Sequence, residues 1–335
     1  MKIKDYFTPN SYIYTGSVQS QEMIVKHYQM GQDVIVTNDF TQLPDRKDYI
    51  QVIGLSKTEA LLGIHEHFKI DSHVFEDILN VKQRNKIEVR GQTLFAVFHV
   101  NYLVDGLIKS DYMSLLLFED TLISFHETTP EFLSPLHEVL LQNGDLLDKP
   151  ISYVFYLILD MITDHHLAVF DNLEQLTLDF EEDVLEQKNM NQETFYLIRK
   201  HLLKLTQNIQ PIFEQFTILL KTPNDFIPSS LYGYFDDVQD HLSRLVSHLT
   251  AAKELQRQIL DVHMNNQSNK MNRIMTTLTL FSAIFIPLSF LTGFFGMNFV
   301  HFQILEYEHA IGLFIFLCMI LAGLMILLFK KMKWF

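Results

Sequence analysis

The rhythm of apolar and polar positions changes along the chain. Over roughly the first 150 residues, short apolar runs rich in Val, Ile, Tyr and Phe are broken by polar stretches, the signature of strands. Strands are predicted at 11–14, 23–28, 33–37, 49–53, 93–100 and 122–125, and helices at 57–68 and 130–142. From about Ile151 the spacing becomes helical and stays so. Between Leu231 and Asn272 there is no proline and only one glycine, Gly233. Val238, Leu242, Leu245, Leu249, Ala252, Leu255, Ile259 and Val262 recur there every three or four residues, which predicts one long packed helix.

Two stretches then lose their charges altogether. No charged residue occurs from Ile274 to Val300, nor from Ala310 to Phe329. A helix needs about 20 apolar residues to cross a bilayer, so both are predicted to span. Two buried helices of a soluble protein are the alternative. Lys270 and Arg273 precede the first stretch, Lys330, Lys331 and Lys333 follow the second, and the loop between them holds Glu306 and Glu308 without Lys or Arg. The positive-inside rule then places both termini in the cytoplasm, with Trp334 and Phe335 at the interface. The expected fold class is an α+β cytosolic domain followed by long helices and two transmembrane helices. The expected organisation is a mixed α/β domain at 1–150, a helical region at 151–228 and a stalk helix at 229–272. A first span at 273–297, an outer loop at 298–309, a second span at 310–329 and a basic tail at 330–335 follow.

The two spans differ. The second is almost purely aliphatic and aromatic. The first carries Thr276, Thr277, Thr279, Ser282, Ser289, Thr292 and Pro287. Asn272, Met275, Leu278 or Thr279, Ser282, Ile286, Ser289 and Gly293 fall on one stripe at helical spacing. Such a stripe suits a tight helix interface or a water-filled lumen, and the second span then faces lipid. Two helices cannot enclose a pore, so transport requires several copies around an axis.

Composition narrows the chemistry. The 335 residues carry 26 Lys and Arg against 40 Asp and Glu, a net charge of -14. Of these, 21 basic and 38 acidic residues precede position 270, so that part stands at -17, the wrong sign for nucleic acid. An acidic body beside a cation pathway attracts divalent ions. Hydrophobic residues at 48% exclude overall disorder. Cys318 is the single cysteine, so neither a disulfide nor a thiolate zinc cage can form within the chain. Residues 1–6 carry charge with no apolar run behind them, unlike a signal peptide. The sequence has no GxxxxGK, GxSxG or HExxH motif, which argues against an enzyme or an ATP-driven pump. The 15 histidines are scattered, and the adjacent pair His165-His166 cannot share a helix face. Asp179, Glu181, Glu182, Asp183 and Glu186 crowd one helical segment as a solvated face.

The first span closes on Gly296-Met297-Asn298. A divalent cation that keeps its waters must be gripped through its hydration shell. Backbone carbonyls and the Asn298 amide oxygen, repeated around a ring, offer acceptors to those waters, and neutral oxygens let the ion leave. Met297 packs, because a thioether is a poor ligand for a hard cation. A helix stop built from Gly and Asn is the competing reading of the same tripeptide.

This arrangement resembles the CorA family of magnesium channels, whose signature is GMN after the first of two C-terminal spans. Phe285-Ile286-Pro287-Leu288-Ser289-Phe290-Leu291-Thr292-Gly293 is similar to the family's approach to the motif. Residues 76–88, Glu76-Asp77-Ile78-Leu79-Asn80-Val81-Lys82-Gln83-Arg84-Asn85-Lys86-Ile87-Glu88, resemble another family segment. Two features depart from the pattern. Phe295 stands where Tyr is frequent, and the outer loop lacks Met-Pro-Glu.

The resemblance implies a funnel-shaped homopentamer in the cell (plasma) membrane. It implies an acidic helical hairpin near that membrane, and magnesium both transported and regulatory, with cobalt or nickel as further ions. Tyr234-Phe235-Asp236-Asp237-Val238-Gln239-Asp240-His241 matches the family stretch that carries a regulatory ligand at Asp237. The implied partner from a neighbouring subunit is Asp77, with Glu76 beside it, and Asp261 matches a further position. Carboxylates facing each other across a subunit boundary repel when empty, and magnesium bridges them to hold a closed state. Ordinary surface acids are the alternative. At the level of function, a zinc or cobalt/nickel transporter on the same fold competes with magnesium. A membrane-tethered sensor whose spans only anchor it is the reading from another class.

Overall fold

The computed structural model describes residues 12–19, 21–29, 34–37, 48–142, 146, 149–188, 190–297 and 308–332. The chain divides into two compact units, 1–257 and 258–335.

The first unit is built on a seven-stranded sheet. Its strands are β1 (Ile24–Gln29), β2 (Val34–Thr37), β3 (Asp48–Ile53), β4 (Lys86–Arg90), β5 (Thr93–Val104), β6 (Leu107–Leu117) and β7 (Thr121–His126), in the order β2-β1-β3-β7-β6-β5-β4. β3 and β7 pair in parallel, with Ile50 opposite Ile123, and the other neighbours are antiparallel. Helices α1 (Thr58–His67) and α2 (Ser72–Leu79) share a core with one face. α3 (Ser134–Gln142), α4 (Ile151–Leu185), α5 (Gln192–Lys221) and the start of α6 (Tyr232–Phe295) share a core with the other. The sheet is thus buried on both sides, which is why its central strands read as nearly unbroken apolar runs. Along β5, Leu94, Ala96, Phe98 and Val100 enter the core shared with α4 and α5, while Phe95 and Val97 enter the one shared with α1 and α2.

Three elements lie outside the predicted set. β4 and β6 interrupt their apolar residues with Lys, Glu, Arg and Asp. α2 is only eight residues long and is opened by Asp71, whose carboxylate accepts from the His73 and Val74 amides. The β5–β6 hairpin turns on Asp105 and Gly106, both with positive φ, the pair of left-handed residues that a two-residue hairpin turn needs. The strand predicted at 11–14 does not form over its described residues, 12–14. Tyr12 instead stacks edge-on against Phe75 of α2 at 4.8 Å, so its ring joins the helical layer rather than the sheet. Ser11 and Asp33, the first residues of two predicted strands, lie outside the described residues.

Several histidines are buried and held neutral. Burial lowers His126 to about 3, with nearby His137 and Lys26 adding to the effect. Burial lowers His137 and His166 to about 4 each, and His99 shifts in the same direction for the same first reason. His166 ties α4 to β5, its Nε2 accepting the Asn101 amide at 3.2 Å. Unfolded histidine titrates near 6.5, so between that pH and about 3 the unfolded chain binds protons that the folded chain refuses. Stability should therefore fall as pH drops from about 6.5 to about 3, where the most depressed of these histidines titrates, and level off below. Thermal unfolding of the detergent-solubilised protein across that range checks this, and a flat profile would contradict it.

The second unit holds the rest of α6 and α7 (Ala310–Lys331). Both helices are long and apolar enough to cross a membrane, and their membrane-length windows are almost wholly exposed. Large exposed apolar side chains such as Ile286, Phe290, Ile311 and Leu327 have no protein partner to cover them, as expected of a surface made for lipid or for another copy. The loop at 298–307 and the tail at 333–335 lie outside the described residues.

Candidate ion pathway and metal site

In the second unit, the covered positions of α6 form one stripe. Leu280 is buried, and Ala283, Ile284, Pro287, Leu288, Leu291 and Phe295 are half-buried. On α7 the half-buried positions include Ala310, Phe314, Cys318, Leu321, Ala322, Met325 and Phe329, again at helical spacing. The stripes meet at the end where Phe295 and Phe314 bring their ring centroids to 4.9 Å. The stripe singled out from sequence lies elsewhere on α6. Asn272, Met275, Leu278, Ser282, Ile286, Ser289 and Gly293 are all exposed. At about 100° per residue they occupy the side of the helix away from the covered stripe. The second helix therefore covers one flank of α6 and leaves the stripe of small and polar residues open.

The helix stops at Phe295. The Gly296 amide donates to the Thr292 carbonyl at 2.9 Å and the Met297 amide to the Phe294 carbonyl at 3.3 Å. Glycine fits closely at 296: a Cβ there would sit 3.0 Å from the Thr292 carbonyl oxygen, a tight contact that the backbone would have to relax. Its backbone is not in the left-handed region, so any preference for glycine here comes from space and not from φ. Met297 is exposed. Asn298, the third residue of the motif, lies outside the described residues.

The first unit holds a separate group. Asp160 on α4, with Asp237 and His241 on α6, place one ligand atom each within 4.8 Å of one another, the only such group found among the described residues. Its construction is local. Asp237 and His241 are four apart, so both project from one side of α6, while Val238 and Leu242 beside them are buried in the core. One turn back, Tyr153 and Tyr156 of α4 meet Tyr234 of α6 at 5.5 and 5.1 Å, and Tyr156 meets Phe235 at 5.9 Å. This aromatic contact pins the two helices and brings the Asp160 carboxylate to the pair.

Burial raises the Asp160 carboxyl above its usual range, and the Asp164 carboxylate pushes it the same way. None of the three residues has a Lys or Arg within ion-pair distance among the described residues. Crowded carboxylates without a counter-cation are what a bound cation relieves, so the donor set fits a divalent ion. Two carboxylates suit magnesium, and the imidazole adds affinity for cobalt, nickel or zinc.

Sequence reasoning named Asp237 but missed Asp160 and His241. The spacing of Asp237 and His241 was a usable signal. Asp160 gave none, because only packing unites α4 with α6.

The remaining predicted ligands are dispersed. Asp77, in the last turn of α2, lies outside that group and pairs with Lys86 at 2.5 Å. Its carbonyl accepts from the Gln83 amide and from the Tyr112 hydroxyl. Lys86 also reaches Glu88 at 2.9 Å, and Arg90 reaches Glu88 at 3.2 Å. Burial alone would raise the Glu88 carboxyl, but hydrogen bonds from Lys86 and Arg90 outweigh it and hold it below the usual range. Glu76 and Asp261 are exposed.

An α+β unit and two apolar helices, the first of them long and with one open polar stripe, define a two-span membrane protein. The sequence model of the CorA-like Mg2+ transporter protein family matches residues 50–331. The chain belongs to this family, whose members are membrane transporters of divalent metals rather than enzymes. It is 28% identical over 346 residues to the cobalt/magnesium transport protein CorA of Thermotoga maritima, covering 100% of this chain and 98% of that one. It is 27% identical over 177 residues to the zinc transport protein ZntB of Pectobacterium atrosepticum, covering 53% and 54% of the two chains. Its fold matches the complete structure of the CorA magnesium transporter from Methanocaldococcus jannaschii with a TM-score of 0.77. That match spans 94% of this chain and 99% of the other at 18% identity.

Proposed function

We propose that this chain is a magnesium channel of the cell (inner) membrane. Five copies form a funnel whose pore is lined by Asn272, Met275, Leu278, Ser282, Ile286, Ser289 and Gly293 and closed at its outer end by the Gly296-Met297-Asn298 filter. Both termini are cytoplasmic. The observation that carries the reading is the open stripe on α6: the side away from α7 keeps its Asn, Ser and Gly uncovered and leads into Gly296.

The driving force needs no ATP. An elementary charge gains about 2.3 kcal/mol per 100 mV, so a divalent ion gains about 4.6. At about 1.4 kcal/mol per decade, that gain supports an internal excess on the order of a thousandfold. A pore left open would overload the cell, so closure by internal magnesium is part of the proposal. Asp77 of one subunit and Asp237 of the next are proposed to share the regulatory ion. Asp160 and His241 support Asp237, and Glu76 and Asp261 are secondary ligands.

The test is flux into liposomes holding the purified protein, read by an internal magnesium dye under a negative-inside potential. The expected result is entry that slows as internal magnesium rises. Absence of magnesium entry together with proton-dependent zinc entry would replace the proposal with the second reading, a zinc transporter. His241 beside the two carboxylates and the relatives named as zinc transport proteins favour that reading. Silence toward both ions from an assembled oligomer would favour a tethered sensor.

A further inference from the structure

We infer that Lys86 is a tethered cation that competes with the regulatory divalent ion for Asp77 and so sets the concentration at which that ion binds. The inference rests on the reading of Asp77 as a ligand shared between subunits.

The geometry is more than a surface ion pair. Lys86 is the first residue of β4, and its ammonium lies 2.5 Å from Asp77 Oδ2, 2.9 Å from Glu88 Oε1 and 5.0 Å from the centre of the Phe95 ring. Its side chain is 14% exposed, and those of Asp77 and Glu88 are 28% and 29% exposed. Two carboxylates and an aromatic face thus hold one ammonium in a partly shielded site, where charges act more strongly than in water. β4 presents Lys86, Glu88 and Arg90 on one side, since alternate residues of a strand share a face. With Asp77 added, two acids and two bases are in place, so this ion-pair network balances its own charges before any metal arrives.

The group on the other side of the proposed boundary is different. Asp160 and Asp237 have no ammonium or guanidinium partner among the described residues, and Asp160 faces the like charge of Asp164. A divalent ion brought to Asp237 meets uncompensated negative charge there. At Asp77 it meets a carboxylate that already holds a cation and must either displace Lys86 or share the oxygen with it. A bound magnesium keeps most of its water, so sharing through a water leaves the ammonium close to a double positive charge. In either case part of the ion's affinity goes into overcoming Lys86. When the ion departs, the ammonium returns, and Asp77 is not left as a bare charge facing Asp237. Lys86 therefore weakens the bound state and steadies the empty one, two changes that both raise the magnesium concentration needed for closure.

A purely structural lysine, stapling β4 to α2, would give a different result. The experiment is calorimetric titration of Mg2+ into the purified full-length chain in detergent, with thermal unfolding measured beside it. Lys86→Gln should bind Mg2+ about tenfold more tightly, within the range typical of coupling between neighbouring sites. Lys86→Arg, which keeps the charge, should bind as the parent does. In an Asp77→Asn background, Lys86→Gln should have no effect of its own, because the competition acts through that carboxylate. If Lys86→Gln fails to fold, Lys86→Met keeps the stem that packs on Phe95 and answers the same question. Unchanged or weaker binding in the neutral variants, with Asp77→Asn still lowering the parent's affinity, would overturn the inference alone. Parent binding that Asp77→Asn leaves untouched would overturn the role of Asp77 and the inference with it.

Discussion

Asn298→Ala should abolish magnesium entry into liposomes while the oligomer still assembles. The filter proposed for this chain grips a hydrated ion through neutral oxygens, and the side-chain amide of Asn298 supplies one acceptor per subunit. Magnesium sheds its waters reluctantly, so removing a ring of acceptors for those waters removes the compensation for entering a narrow opening. The substitution falls three positions beyond Phe295, the last residue of α6, and leaves the helix sequence intact. Size-exclusion profiles should therefore match the parent while flux falls to background. Parent-like flux would dismiss Asn298 from the filter.

Asp237→Ala should release the channel from closure by internal magnesium. The residue lies at the crossing of two proposals, as ligand to the shared ion and as member of the group with Asp160 and His241. Its loss removes one of two carboxylates there, and the magnesium concentration for half-closure should rise by about tenfold or more. Flux measured against stepped internal magnesium reads this directly. Asp160→Asn should move the same curve in the same direction, and by less if the subunit-spanning pair dominates. Inhibition unchanged in Asp237→Ala would take the residue out of the regulatory site.

Much of the architecture was legible because it is written in local spacing. The three-to-four rhythm from Val238 to Val262 and the uncharged stretch after Ile274 needed no neighbour to be read, and they became the single helix α6. The stripe from Asn272 to Gly293 was legible for the same reason, and the covered face of α6 turned out to be the other one. What stayed hidden depends on tertiary approach. β6 was obscured by Lys109-Ser110-Asp111, although the Asp105-Gly106 turn that folds it back on β5 was visible in the sequence. Asp160 is 77 positions before Asp237, and nothing in either neighbourhood foretells that an aromatic cluster brings them together. Lys86 could be quoted as part of a family segment, yet its hold on Asp77 arises only when a short helix is laid beside an edge strand.

The threonines of α6 bear on which sign of ion can pass. The Thr276 hydroxyl donates to the Asn272 carbonyl at 2.9 Å, Thr277 to Arg273 at 2.9 Å and Thr279 to Met275 at 2.8 Å. A hydroxyl has one hydrogen and two lone pairs, and here the hydrogen is spent inside the helix. Thr279 lies on the open side, so what it turns outward is lone pairs alone. A wall finished in this way offers a resting place to a cation or to the hydrogens of its water shell. To chloride, which must be met by a hydrogen, these threonines offer nothing. Rejection of anions would then begin in the hydrogen-bond economy of a helix that carries no charge from Ile274 to its end at Phe295.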